Sequence, residues 1–242
     1  MKKFLLIISC IFYVIVNAQI SECDKLSNAI IQNNSKEFKQ LLSKNINCIS
    51  QSGNSPLGTA SSRGDIEFVQ ILLKNKANPN IVQFYNGKSI GPPLFNALSI
   101  CEQKLEPQLI DVAQMNSQKK QIKVKTCNND KKDCIAKLLI KNNADVKIVD
   151  NNKTTSLMVA AINNRSNILK LLIDKGVNIN AQNNLKNSAL IYAVNNNNYD
   201  SVKILVLSGA DISIKDSDGK TALDIAKENN FEKIVTLLSS SK

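Results

Sequence analysis

Thr155-Ser156-Leu157-Met158-Val159-Ala160, Ser188-Ala189-Leu190-Ile191-Tyr192-Ala193 and Thr221-Ala222-Leu223-Asp224-Ile225-Ala226 align without a gap. Leu157 to Leu190 is 33 residues, and Leu190 to Leu223 is again 33. A second motif keeps the same phase: Leu171-Leu172-Ile173-Asp174-Lys175-Gly176-Val177-Asn178 recurs as the run from Ile204 to Asp211. Two motifs on one period describe a single structural unit stacked several times, because no unit of that length buries its apolar face alone. Thr or Ser before the first motif is placed to cap the free amides of a helix. Leu157 and Ala160 lie three apart on one helical face, where the small Ala lets a neighbouring helix approach. Ile168, Leu169, Leu172 and Ile173 give a second helix an apolar stripe. Gly176 and Gly209 stand where that helix must stop in a left-handed conformation.

These residues resemble the ankyrin repeat, whose pattern runs T-P-L-H-x-A and then a second helix ending in L-L-x-x-G-A-D. Asp216-Ser217-Asp218-Gly219 has the turn chemistry of the hairpin finger that links such repeats. The resemblance implies an all-α solenoid of helix-turn-helix units with β-hairpin fingers. The tetratricopeptide repeat has a similar period but lacks these hairpin signals. Where the family has His, this chain has Gly58, Phe95, Met158, Ile191 and Asp224, so the hydrogen bonds that His makes between repeats are missing. Asn45, Asn75 and Asn143 take the place of the terminal Gly in three repeats, Asn being the next-best residue for a left-handed cap.

Earlier units follow the same pattern. Ser55-Pro56-Leu57-Gly58-Thr59-Ala60 and the run from Ile71 to Asn78 make one repeat, and Pro92-Pro93-Leu94-Phe95-Asn96-Ala97 opens another. The second helix of that third repeat arrives late, at Leu138-Leu139-Ile140. A degenerate first unit uses Leu26 and Ala29, then Phe38, Leu41 and Leu42. About six repeats result, near 19–49, 50–86, 87–149, 150–182, 183–215 and 216–242. The third carries an insertion at 102–132. Within it, Glu106 to Met115 is compatible with a helix, and Ser117 to Lys132 is strongly basic.

Residues 1–18 read as a cleavable signal peptide: Lys2 and Lys3, an apolar run from Phe4 to Val16, and a small residue at Ala18. The run is too short to span a bilayer, and no integral membrane segment is expected after cleavage. Ile7-Ile8-Ser9-Cys10 resembles a lipobox, but the apolar run continues past Cys10, which favours secreted or periplasmic protein over lipoprotein. Export makes disulfides feasible among Cys23, Cys48, Cys101, Cys127 and Cys134. Cys23 with Cys48 would close the weak first repeat, and Cys101 with Cys127 or Cys134 would staple the base of the insertion. Five thiols leave at least one unpaired. The net charge of +11 reads first as a lysine-rich solvated surface, and it also suits an acidic partner or an anionic membrane face. Nucleic acid is disfavoured by export and by the lack of basic residues interleaved with aromatics.

The 242 residues contain no His, which removes the usual nucleophile–base pairs. No metal, cofactor or enzymatic activity is expected. The reading is a monomeric, non-enzymatic scaffold that binds another exported protein, as an inhibitor, immunity or accessory partner. The alternative is a polyanion or membrane-surface binder acting through Lys119, Lys120, Lys123 and Lys125. The family's partners engage the fingers and the exposed face of the first helix. That resemblance selects Thr59, Asn96, Val159, Tyr192 and Ile225, with Ser62, Ile162, Asn163, Asn195 and Asn196 one turn on. Tyr192 stands out as an aromatic on that face, with packing onto a neighbouring repeat as its alternative. The second finger, Val82 to Gly91, is the longest and places Phe84 and Tyr85 near its turn, for a partner or, equally, for packing of Phe84 against the insertion.

Overall fold

A computed structural model describes residues 22–42, 46–99 and 129–241. Helices come in pairs. The first pair is α1 (22–31) and α2 (Ser35–Leu41). Next come α3 (Pro56–Arg63) and α4 (Ile66–Lys74), then a hairpin of β1 (Gln83–Tyr85) and β2 (Lys88–Gly91). The third repeat holds α5 (Pro93–Leu98) and α6 (Asn129–Lys141). The last three hold α7 (Ser156–Ile162) with α8 (Ser166–Asp174), α9 (Ala189–Asn195) with α10 (Tyr199–Leu207), and α11 (Ala222–Glu228) with α12 (Glu232–Ser240).

Stacking is strictly sequential. The first helices α3, α5, α7, α9 and α11 touch in chain order, and so do the second helices α4, α6, α8, α10 and α12. Leu57, Leu94, Leu157 and Leu190 are buried between first helices, with Ala60, Ala97, Ala160 and Ala193 allowing the close approach. Leu72, Leu139, Leu172, Leu205 and Leu238 line up on the second helices. All belong to one continuous core, which also takes in Leu26, Ala29 and Phe38 of the first repeat.

Local chemistry sets each helix start. Ser55, Thr155, Ser188 and Thr221 accept from the amides of Gly58, Met158, Ile191 and Asp224. At two of the positions where the family carries His, the replacement strengthens the cap. Asp224 Oδ2 accepts from the Thr221 amide at 3.0 Å and from its hydroxyl at 2.7 Å. Those bonds hold its carboxyl below the usual carboxylate range. Met158 offers its sulfur to the Thr155 amide in the same way.

Within each intact pair the two helices are joined by a left-handed residue: Asn33, Gly64, Asn164, Asn197 or Asn230. The amide after it bonds back to the Ala of the first-helix motif: Asn34 to Ala29, Asp65 to Ala60, Arg165 to Ala160, Asn198 to Ala193 and Phe231 to Ala226, all near 3 Å. One sequence expectation is corrected at the other end of the pair. The left-handed residue after α4 is Lys76, at φ 66°, while Asn75 stays at φ −90°. Asn143, Gly176 and Gly209 hold that conformation as expected.

Candidate partner-binding face

Five turns project from the stack as fingers, and four of them share one construction. Ser50, Asp150, Asn183 and Asp216 open them, each with a side-chain oxygen that accepts the amide four residues on, at 3.2, 2.7, 3.0 and 2.9 Å. Each then passes through one left-handed residue: Gly53, Lys153, Lys186 or Gly219. The second finger differs because β1 and β2 pair antiparallel, with Tyr85 opposite Lys88. Its two-residue turn, Asn86-Gly87, has φ of 48° and 74°, the twist that matches flanking strands.

Neighbouring fingers are tied by backbone hydrogen bonds. The Phe84 amide donates to the Gly53 carbonyl at 2.9 Å, Asn184 to Asn152 at 2.9 Å and Ser217 to Leu185 at 3.1 Å. Gly53 is required there: a Cβ at that position would lie 1.9 Å from the Phe84 carbonyl oxygen. The first finger is thereby fastened to the second, and the third, fourth and fifth to one another, along one edge. On it stand apolar side chains in water, with Phe84 44% exposed, Tyr85 58%, Val149 42% and Leu185 57%. Val149 and Leu185 escaped the sequence reading because neither belongs to a helical motif.

The first-helix face is less available than the sequence suggested. Tyr192 is half-buried against the core, and its hydroxyl accepts from Asn183 Nδ2 at 2.7 Å. Asn96 donates to the Gly58 carbonyl and to Gln83 Oε1, both at 3.2 Å. Gln83 is fully buried and fills the space that a side chain at Gly58 would need, its Oε1 lying 1.7 Å from a Cβ built there. Thus Gly58, Gln83 and Asn96 form an inter-repeat linkage at a place where the family uses His. Thr59, Val159 and Ile162 are half-buried and Ile225 is buried, whereas Ser62, Asn195 and Asn196 are exposed. Tyr192 and Asn96 are engaged in stacking, and Phe84 and Tyr85 stand free.

A set of residues missed in the sequence sits at the root of the insertion. After α5 the backbone turns extended at Ser99, with φ −70° and ψ 153°, and the terminal carbonyls of the helix take other donors. Lys132 Nζ donates to the Asn96 and Ser99 carbonyls at 3.1 and 3.0 Å. Arg165 Nη2 donates to the Ser99 carbonyl at 3.0 Å, and its Nη1 lies 3.6 Å from Asp133. Asn198 Nδ2 does the same one repeat on, donating to the Ala161 and Ile162 carbonyls at 2.9 and 2.8 Å. Lys132, Arg165 and Asn198 are 33 residues apart, and that register was the signal available. Both cations are nearly inaccessible, at 2% and 3% exposure. Burial, with the Arg165 charge beside it, lowers the Lys132 pKa to about 8.

One expectation changes here. Lys131 and Lys132 belong to α6, so the last turn of the expected 102–132 insertion is the start of that helix, with Lys132 in the register of Arg165 and Asn198. Cys134 carries a free, exposed thiol on α6, which removes it from the proposed staple. Cys101, Cys127, Lys119, Lys120, Lys123 and Lys125 lie outside the described residues, as do 1–18 with Cys10. Cys23 and Cys48 are disulfide-bonded, with Cα atoms 5.8 Å apart.

The ankyrin-repeat family model matches three times as "Ankyrin repeats (3 copies)", over 94–183, 122–216 and 177–242, and once as "Ankyrin repeat", over 52–83. The chain belongs to the ankyrin-repeat family. Ankyrin repeats generally mediate protein–protein interaction, and proteins built from them are typically non-enzymatic scaffolds. No curated protein matches this ankyrin chain. Among the described residues no cluster of three or more His, Cys, Asp or Glu could hold a metal ion. Among those residues, too, no helix is long and apolar enough to cross a membrane.

Proposed function

We propose that this ankyrin chain is a non-enzymatic binding scaffold acting outside the cytoplasm, which docks another exported protein on its finger edge. An inhibitor, immunity or accessory role fits such a scaffold. The observation that carries the reading is the row of exposed apolar side chains on fingers that backbone hydrogen bonds tie into two sets, the first with the second and the third with the fourth and fifth. Exposed aromatics on a stiff frame contribute interface energy without a large ordering cost. Export is supported by the Cys23–Cys48 disulfide, which persists in an oxidising compartment, and by the leader-like residues 1–18.

Affinity capture with the full chain from the extracellular or envelope fraction of the source cells tests this. The expected result is a specific protein retained by the wild type and lost from a Phe84→Ala, Tyr85→Ala variant. Retention that ignores both substitutions would overturn the finger reading.

A second reading is favoured by a separate observation. Lys137, Lys170 and Lys203 take the same position on α6, α8 and α10, all exposed, and none is in an ion pair among the described residues. Together with Lys119, Lys120, Lys123 and Lys125 they suit a polyanion or an anionic membrane surface. Binding of that kind falls steeply with salt and disappears when the insertion lysines are neutralised.

A further inference from the structure

We propose that the third and fourth fingers receive an acidic, extended segment of the partner, with Lys153 and Lys186 each meeting a carboxylate and Leu185 meeting an apolar side chain beside them. The inference rests on the finger-edge reading and specifies the chemistry of what docks there.

It begins from a comparison inside the chain. Four fingers share one turn, and its left-handed residue is Gly53, Lys153, Lys186 or Gly219, at φ 81°, 60°, 56° and 77°. Glycine takes this conformation freely, and a residue with a Cβ does so at a cost. At Gly53 the glycine also makes room for the Phe84 carbonyl, but at Gly219 a Cβ would have nothing within 4 Å. The turn therefore needs only the conformation, and glycine would serve equally at 153 and 186. Instead both positions hold a lysine, exposed and without an ion pair or side-chain hydrogen bond among the described residues. Lys76 takes the same conformation singly at the end of α4, whereas Lys153 and Lys186 repeat it on adjacent fingers joined by a backbone hydrogen bond; strain repeated on such a pair with no internal contact to offset it points to use by a ligand.

Geometry makes the two lysines a unit. The Asn184 amide donates to the Asn152 carbonyl at 2.9 Å, and Asn184 Nδ2 to the Asn151 carbonyl at 3.2 Å. Gln182 Nε2 holds the far side of the fourth finger by donating to the Lys186 and Lys215 carbonyls. Equivalent points on stacked repeats lie roughly 10 Å apart, the separation of packed helices. An extended chain of the polyproline-II type advances about 9 Å per three-residue turn and returns its side chains to the same face, so carboxylates at positions i and i+3 of such a segment match the pair.

Charge points the same way. The acidic group nearest in sequence, Asp150, is occupied by the Asn152 and Thr154 amides at 2.9 and 2.7 Å. The fourth finger has the neutral Asn183 in its place, so Lys186 stands on its tip without a carboxylate in the same turn, and at the third finger the amides hold Asp150 back from Lys153. Leu185, at 57% exposure, supplies the apolar contact. The fifth finger carries Asp216 and Asp218 between Lys215 and Lys220 and has no net charge, so the acidic part of the segment lies over fingers three and four.

The test selects peptides from a random twelve-residue phage library on the disulfide-bonded full chain and measures the strongest by fluorescence anisotropy. The expected peptides carry Asp or Glu three residues apart next to an apolar residue. Lys153→Gly with Lys186→Gly weakens their binding roughly five- to tenfold, the scale of two exposed charge pairs. The same double variant melts at a higher temperature, so lost binding cannot be ascribed to damage. Lys153→Arg with Lys186→Arg keeps most of the affinity. Peptides without acidic enrichment, or acidic peptides bound equally by the double glycine variant, overturn the inference. If such peptides are nevertheless lost from Phe84→Ala, Tyr85→Ala, the finger-edge reading survives alone. Peptides indifferent to both sets, or a selection that enriches nothing, overturn both.

Discussion

Arg165 and Asn198 perform one task 33 residues apart: each reaches back to the carbonyl end of the preceding first helix. Their energetic weights differ, because Arg165 is a buried cation that also faces Asp133. Removing it strands carbonyls and leaves a half-buried carboxylate beside them. Arg165→Ala is therefore expected to lower stability by about 3 kcal/mol, measured by urea unfolding; a loss below about 1 kcal/mol would refute the capping role. Glycines offer a paired comparison. Gly219→Ala meets only the conformational cost of about 1 kcal/mol, since nothing crowds its Cβ. Gly53→Ala adds a backbone clash at 1.9 Å and is expected to destabilise distinctly more, while releasing the Phe84 amide to exchange. At this scale the sequence was legible where a residue obeys the period. Leu157, Leu190 and their Ala partners were read directly as core. Tyr192 and Asn96 were not, since periodicity gives the face on which a side chain starts and not the hydrogen bond on which it ends.

Among the elements, α6 is the one whose reading shifted. Its apolar residues, Leu138 and Leu139, follow the motif, but its start at Asn129 does not. The helix extends because Lys132 is drawn into the stack by the unpaired carbonyls of α5. A polar, lysine-rich stretch carries no hint of that without knowing where the carbonyls lie. The burial has a pH signature. The Lys132 pKa falls from 10.5 in the unfolded chain to about 8 in the folded one. Between those values the unfolded state keeps the proton and the folded state has released it, so stability rises with pH across that window. Below about 8 both states are protonated and this contribution is flat. Stability of the wild type minus that of Lys132→Met, followed by denaturant unfolding from pH 7 to 10.5, is expected to climb. A difference that stays level contradicts burial of the charged amine. The fingers were legible as turns from Asp216 to Gly219, and the hydrogen bonds that bind one finger to the next were not.

For the whole molecule, the period together with the resemblance to the ankyrin repeat gave the architecture: paired helices, sequential stacking and a displaced second helix in the third repeat. A solenoid of this kind is held by neighbour contacts, so damage at one end stays largely local. The Cys23–Cys48 bridge closes 25 residues of the weakest repeat, a loop whose cross-link contributes about 3 kcal/mol. Reduction is therefore expected to speed hydrogen exchange in α1 and α2 and to leave α9 to α12 protected. Uniform loss of protection along the chain would show that the repeats unfold as one unit. What the sequence could not supply is which surface is free, because that depends on which side chains the stack itself consumes. The finger edge is the proposed docking surface. A photo-crosslinking residue placed at Tyr85, and separately at Lys203 on the outer face of α10, tests it in the source cells. A covalent adduct with one partner protein from position 85 and none from position 203 is the predicted result; adducts from 203 alone would contradict it.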